Sequence, residues 1–263
     1  MKLLVFLLLI CSYSISQGPV DGYMKNKNDF SVGLSFTNES AGKLYAGTNP
    51  IASSRTTRAV SLFGIYGITN WLNVQANIPY LNVNKGAEAD FQDASIYLKF
   101  KLLNKDNSKG KFQLLAATGY SDPLTNYQTR GGNAIGQMAL AGDIRLIAQQ
   151  NFKNNFFASV QGGYFLKSDP TPNGMSSSLK IGYAGSFYAD VWFETLNAFG
   201  GNDYRPGLPN EDFRSFGFSY NKIGGTFYYG FHKHIGGFLG ASYVLSGRNA
   251  FKNTGINLGI VFQ

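Results

Sequence analysis

Few residues of this sequence are of types that carry catalysis, and their spacing does not assemble a reaction centre. His232 and His234 are its two histidines, in an HKH stretch that reads as a turn between two strands. Nucleophilic catalysis needs a base beside its serine, most often histidine, and no serine or acidic motif is spaced to meet this pair. A structural metal site takes about four ligands, which HKH alone does not supply. Asp93 and Asp143 would make an acid pair only by meeting, yet they fall near opposite ends of their strands. GGNAIGQ (Gly131–Gln137) lacks the buried strand before it and the helix after it that a phosphate-binding glycine loop requires. No enzyme is expected, with no metal and no cofactor.

The chemistry left is that of a passage. Tyr97, Lys99, Lys101, Gln113, Asp143, Arg145, Gln161 and Lys180, with Glu194 as a further candidate, fall on the polar faces of alternating segments. They are expected to line a lumen, the lysines toward the periplasmic end of their strand and Asp143 and Arg145 in the periplasmic half of theirs. Two readings stay open. The charges pair across a narrow barrel, because buried charge is costly unless paired. Alternatively they ring a wet passage and bias it toward anions or polar solutes. Asp143 and Arg145, two residues apart on one face, suit a pair.

Such residues need strands to hold them, and the sequence is full of strand signals. In YGITNWLNVQANIPYL (Tyr66–Leu81), Leu72, Val74, Ala76, Ile78 and Tyr80 alternate with Asn73, Gln75 and Asn77. The same period runs through Phe30–Thr37, Ala94–Leu102, Met138–Leu146, Phe156–Leu166, Leu239–Ser246 and Ile256–Phe262. About twelve strands are expected, roughly 29–37, 57–68, 71–81, 91–103, 111–121, 136–149, 155–166, 178–188, 190–199, 213–231, 236–247 and 253–262. Many match the 9–11 residues a tilted strand needs to cross a bilayer. The segment 213–231 is overlong and changes apolar phase near Gly224–Gly225, where a bulge is expected. Connections alternate between short turns and longer stretches at 38–56, 82–90, 122–135, 167–177 and 200–212, with a short last one at 248–252. Short periplasmic turns and long outer loops are the layout of outer-membrane barrels.

Composition agrees. Only 14% of the 263 residues are charged, against about 25% in ordinary globular chains. Gly is at 32, Tyr at 16 and Phe at 22. The net charge of +8 comes from scattered Lys and Arg with no basic run, so no nucleic-acid partner is expected. Residues 1–16 read as a secretory signal peptide, with Lys2 before LLVFLLLI and small residues at Ser14 and Ser16; the one cysteine, Cys11, lies within it. The rival class is a secreted soluble β-sandwich or lipocalin-like barrel. Against it, the polar alternates are mostly Gly, Ala, Ser, Asn and Gln, and aromatics recur near segment ends (Phe30, Tyr66, Trp71, Tyr80, Tyr120, Phe156, Phe262) as interfacial girdles do.

LFGIYGITNWLNVQANIPYL, FQDASIYLKFKLL, AATGYSDPLTNY and FLGASYVLSGRNAFKNTGINLGIVF resemble, in order, stretches of the outer-membrane family associated with the meta pathway of phenol degradation. That resemblance implies an outer-membrane barrel acting as a transporter or channel for hydrophobic or aromatic compounds. It supplies no site residues. The closing NLGIVF is similar to the terminal strand signal read by the barrel-assembly machinery, with Gln263 trailing Phe262.

The reading is therefore all-β: a transmembrane antiparallel β-barrel at 17–263, in the outer membrane of a Gram-negative cell. Its expected partners are outer-membrane lipid, the barrel-assembly machinery and a small-molecule solute. The expected function is passive passage of small hydrophobic or aromatic solutes. The alternatives are a closed structural or ligand-binding barrel acting through its outer loops and, less favoured, a lipid-active enzyme. On a gel the unheated protein should migrate faster than the boiled one; identical migration would favour the soluble sandwich.

Overall fold

The computed structural model describes residues 20–206 and 212–263; the expected signal peptide lies outside them. Strands β1 (Phe30–Ala46), β2 (Asn49–Gly67), β3 (Leu72–Val83), β4 (Glu88–Phe91), β5 (Asp93–Asn107) and β6 (Gly110–Pro123) form the first half. The second half comprises β7 (Ala141–Phe152), β8 (Phe156–Lys167), β9 (Gly174–Ala184), β10 (Tyr188–Ala198), β11 (Ser219–His232), β12 (Ile235–Arg248) and β13 (Phe251–Phe262). Every pairing is antiparallel, and β1 joins β13 as well as β2, so the sheet closes. β4 and β5 both lie along β3, at Tyr80–Val83 and Leu72–Asn77, and make one wall position broken at Gln92. The result is a closed twelve-stranded barrel.

Burial follows the alternation of the sequence. Along β3, Asn73 and Gln75 are buried inside the barrel while Ile78 and Tyr80 are exposed outside. Along β5, Tyr97 and Lys99 point inward and Ile96 and Leu98 outward. The outer wall is a continuous apolar band, including Leu34, Leu62, Ile144, Leu146, Val160, Leu179 and Leu258, each at least half exposed or nearly so. That band is stable only against lipid. Aromatics edge it on both rims. Phe156, Tyr183, Phe187 and Phe227 form a chain with ring centroids 4.9–5.7 Å apart at the short-turn rim. Tyr80–Phe91 at 5.2 Å and Tyr164–Phe199 at 5.8 Å stand at the long-loop rim.

Inside, large side chains lie flat across glycines on the neighbouring strand. Phe63 faces Gly33, Tyr97 faces Gly119, Phe165 faces Gly174, Phe157 faces Gly182, Trp192 faces Gly224 and Phe238 faces Gly259, each a direct register pair. A Cβ on Gly119 would sit 2.1 Å from Tyr97 Cε1, and one on Gly224 2.3 Å from Trp192 Cζ2. The many glycines thus supply width for inward aromatics in a narrow lumen.

Three expectations need correction. The loop expected at 38–56 is strand: β1 and β2 stay paired to Ala46↔Asn49 and turn at Gly47–Thr48. Above the bilayer their outward residues, such as Asn38 and Arg58, meet water, so the ladder continues after the apolar alternation stops. The bulge expected near Gly224–Gly225 is a register shift between Asn221 and Lys222, and β11 starts only at Ser219, after a 3₁₀ turn at Phe213–Ser215. Pairing runs unbroken through Gly224 and Gly225, and β11 keeps one phase, with Lys222, Gly224, Thr226 and Tyr228 all facing inward; Gly224 leaves its inward place to Trp192 of β10. Finally, β7 begins at Ala141, so Asp143 and Arg145 lie in the outer half of their strand.

The glycine–aromatic pairing predicts that Gly119→Val destabilises the barrel by about 1–3 kcal/mol through overpacking. Gly142→Ala, with nothing within 4 Å of its added Cβ, should be neutral. The midpoint of the heat-dependent gel shift reads both.

Candidate functional site

The chain before β1 turns into the barrel at the short-turn rim. Asn28 N–H donates to Gly67 O at 2.7 Å and Lys27 N–H to Asn70 Oδ1 at 2.9 Å. The passage is tight there: a Cβ on Gly67 would meet Asn26 O at 1.9 Å. Val20 and Tyr23 are buried among inward residues of the wall. Val20 packs with Tyr97, Leu115, Ala117 and Ile147, flanked by Met24. The Tyr23 ring meets Phe157 edge-on at 5.6 Å and Tyr188 at 6.3 Å. Lys99, with 0% exposure, holds this segment: its ammonium donates to Asp21 Oδ1 at 2.8 Å, to Asp21 O at 3.3 Å and to Tyr23 O. All three ammonium protons are used, and the carboxylate neutralises the charge. A second buried pair stands beside it, Lys180–Asp190 at 3.5 Å, with Tyr188 O–H donating to Asp190 at 2.5 Å. Residues 20–24 therefore form a floor across the lumen.

Above the floor, Arg145 grips Asp143 through Nε at 3.2 Å and Nη2 at 2.6 Å, and donates from Nη1 to Gln161 Oε1 at 2.9 Å. Tyr97 O–H donates to Asp143 at 3.1 Å. Three adjoining cavities of about 390, 430 and 450 Å³ share lining residues, including Glu39, Asp93, Tyr97, Lys167, Tyr220 and Lys222. They form one chamber in the outer half of the barrel.

The loop between β6 and β7 roofs the chamber. It crosses the mouth from β2 on one side to β8 and the β10–β11 loop on the other. Arg55 on β2 donates to Gly132 O at 3.1 Å and Ala134 O at 2.6 Å. Gln137 donates to Phe213 O and Phe216 O, both at 3.1 Å, and accepts from Lys167 Nζ at 2.7 Å. Tyr127 donates to Asp93 at 2.5 Å and accepts from Met138 N–H at 2.6 Å. Burial, with the hydrogen bond to and the charge of Asp93, holds the Tyr127 phenol above its ordinary titration range, so it stays a donor. Asn249 ties the neighbouring loops with all its capacity: it accepts from Gly47 N–H and Tyr204 N–H and donates to Asn202 O and Gly217 O.

The structure brings Tyr97, Asp143, Arg145 and Gln161 into one network on the chamber wall. It puts Lys99 and Lys180 in the floor. Lys101 lies at the short-turn rim, donating to Asn70 O at 2.8 Å, and Gln113 accepts from Asn151 near the same rim at 3.1 Å. Glu194 lines the chamber and accepts from Tyr220 O–H at 2.8 Å. Sequence reasoning did not single out Asp21, Glu39, Arg55, Lys167 or Trp192. Glu39 and Arg55 sat in a stretch read as loop, Lys167 at the first position of another, and Asp21 ahead of any strand. The Trp192 signal, an indole opposite a glycine, needs the β10–β11 register to be seen.

Closure of the ladder, the outward apolar band and the polar lumen define an outer-membrane β-barrel. By sequence, the chain matches no protein-family model and no curated protein. By fold it is similar to the crystal structure of the COG4313 outer membrane channel from Pseudomonas putida F1, with a TM-score of 0.74 and 15% identity over 95% of this chain and 99% of that one. The NanC porin follows at TM-score 0.57 and 10% identity, covering 88% of this chain and 99% of that one. The KdgM porin in complex with disordered oligogalacturonate follows at 0.53 and 8%, covering 88% and 98%. The chain thus has the fold that outer-membrane channels and porins share.

The floor yields a direct prediction. Lys99→Met leaves Asp21 without its counter-charge inside the barrel, a loss of about 3 kcal/mol or more. Amide hydrogen exchange over residues 20–24 should accelerate strongly while that of β5 changes little.

Proposed function

We propose that the protein is an outer-membrane channel for passive passage of small solutes, closed at rest by residues 20–24 below and the β6–β7 loop above. The observation that carries this is the chamber that lies between floor and roof. A barrel with a purely structural role has no need of three adjoining cavities. The floor is held by the hydrogen bonds of Lys99, the packing of Val20 and the ring contacts of Tyr23 rather than by strand pairing, so it can leave without breaking the ladder.

Small, apolar or aromatic solutes suit the chamber. Phe165, Trp192, Tyr220, Phe213, Phe218 and Phe251 offer ring faces on its wall and roof. Its charges balance: Glu39, Asp93, Asp143 and Glu194 against Arg55, Arg145, Lys167 and Lys222. A continuous basic track is missing among these residues, which argues against bulk anion selection by the passage as a whole. A second reading, a closed ligand-binding barrel, draws support from the double closure. β13, ending in Phe262, remains our candidate for recognition by the barrel-assembly machinery.

In liposome swelling, the intact barrel should admit small solutes slowly, and a variant lacking Val20–Met24 should admit them several-fold faster. Equal, negligible rates for both would overturn the channel reading and favour the closed barrel.

A further inference from the structure

We infer that the upper cavity, under the roof, is a binding site for a small organic anion with an aromatic or apolar body, such as an aromatic carboxylate. This inference rests on the channel reading and names the ligand class of its outer chamber. The cavity, of about 430 Å³, is of a size to hold one such molecule. Its charge is what sets it apart. Among the described residues, Lys222 in this cavity is paired with Glu39 at 3.1 Å, but neither Arg55 nor Lys167 has a carboxylate within ion-pair distance. Arg55 uses three of its five N–H donors, on Thr57 and on two roof carbonyls, and Lys167 uses one of its three on the Gln137 amide. Neutral acceptors satisfy hydrogen bonds without cancelling the charge. The remaining acid, Asp93, accepts from the Tyr127 hydroxyl, which leaves its charge in place; it acts on Lys167 from beyond ion-pair distance, as Glu39 does on Arg55. The cavity therefore holds three cations against two carboxylates, an excess of positive charge with no ion pair at Arg55 or Lys167.

The rest of the lining suits an apolar body. Phe251 lies under the Arg55 guanidinium at 5.0 Å, and Phe213 and Phe218 border the same cavity. A carboxylate between Arg55 and Lys167 would supply the missing negative charge, and a ring would rest against these phenylalanines. Hydrogen bonds from charged donors favour a carboxylate over its neutral isostere by about tenfold or more.

Titration calorimetry on the intact barrel in nanodiscs, with benzoate and its neutral isostere benzamide, tests this. Benzoate should bind at least about tenfold more tightly. Lys167→Gln should remove most of that preference, Arg55→Gln likewise, and Arg55→Lys should restore part of it. If Arg55→Gln loses the heat-dependent gel shift, Lys167→Gln carries the test, since Lys167 does not touch the Gly132–Ala134 backbone. No preference for benzoate, or a preference that survives Lys167→Gln, overturns the inference. A barrel that passes solutes but shows no preference overturns it while the channel reading stands. A barrel that prefers benzoate yet passes nothing supports the site and removes the channel.

Discussion

Every backbone N–H and C=O within the bilayer must find its partner in the chain, because lipid offers none. The β1–β13 ladder meets that demand by closing the sheet, and the rest of the molecule follows from the closure. A closed wall has an outer face that must be apolar and an inner face of fixed, small circumference. The outward series from Leu34 to Leu258 answers the first requirement. The inward pairing of Phe63, Tyr97, Phe157, Phe165, Trp192 and Phe238 with glycines answers the second, since a ring lying flat against the wall occupies far less of the lumen than one projecting into it.

Charge in the lumen obeys the same economy of space. Four of the inward cations are met by a carboxylate close by: Lys99 by Asp21, Lys180 by Asp190, Arg145 by Asp143, Lys222 by Glu39. The pairs differ in what they join. Arg145–Asp143 stays within one strand and Lys180–Asp190 joins two adjacent ones, stiffening the wall. Lys99–Asp21 fastens a separate segment to it, beside the Lys99 bonds to Asp21 O and Tyr23 O and the packing of Val20 and Tyr23. The roof is fastened differently, by Arg55 donating to loop carbonyls and Lys167 to the Gln137 amide, with no carboxylate within ion-pair distance of either.

Much of the wall was legible in the sequence. The alternation in Leu72–Tyr80 and Ala94–Leu102 reported which side chains face lipid, because that preference acts on each residue separately. The strand count followed from the same signal. What was not legible depends on meetings between distant residues. The hairpin through 38–56 left no apolar alternation because its outward face meets water and its inward face mixes Glu39 and Arg55 with the buried Ala41 and Leu44. The Gly224–Trp192 fit looked like a slip in phase. The segment around Asp21 carried no periodicity, and only the fold brings it 78 positions along the chain to Lys99. Lys99 itself was identified as inward, but its engagement with the floor could not be read from its own strand.

The account holds that solutes pass through this lumen, along this face of the wall. It is tested most directly by single-channel current through a barrel lacking Val20–Met24 and carrying one engineered thiol, before and after a bulky water-soluble thiol reagent. Ser61 lines the chamber and Leu62, its neighbour, faces lipid. The account predicts a stepwise fall in current for Ser61→Cys and none for Leu62→Cys. A current unchanged by modification at Ser61→Cys, or blocked at Leu62→Cys instead, would contradict it.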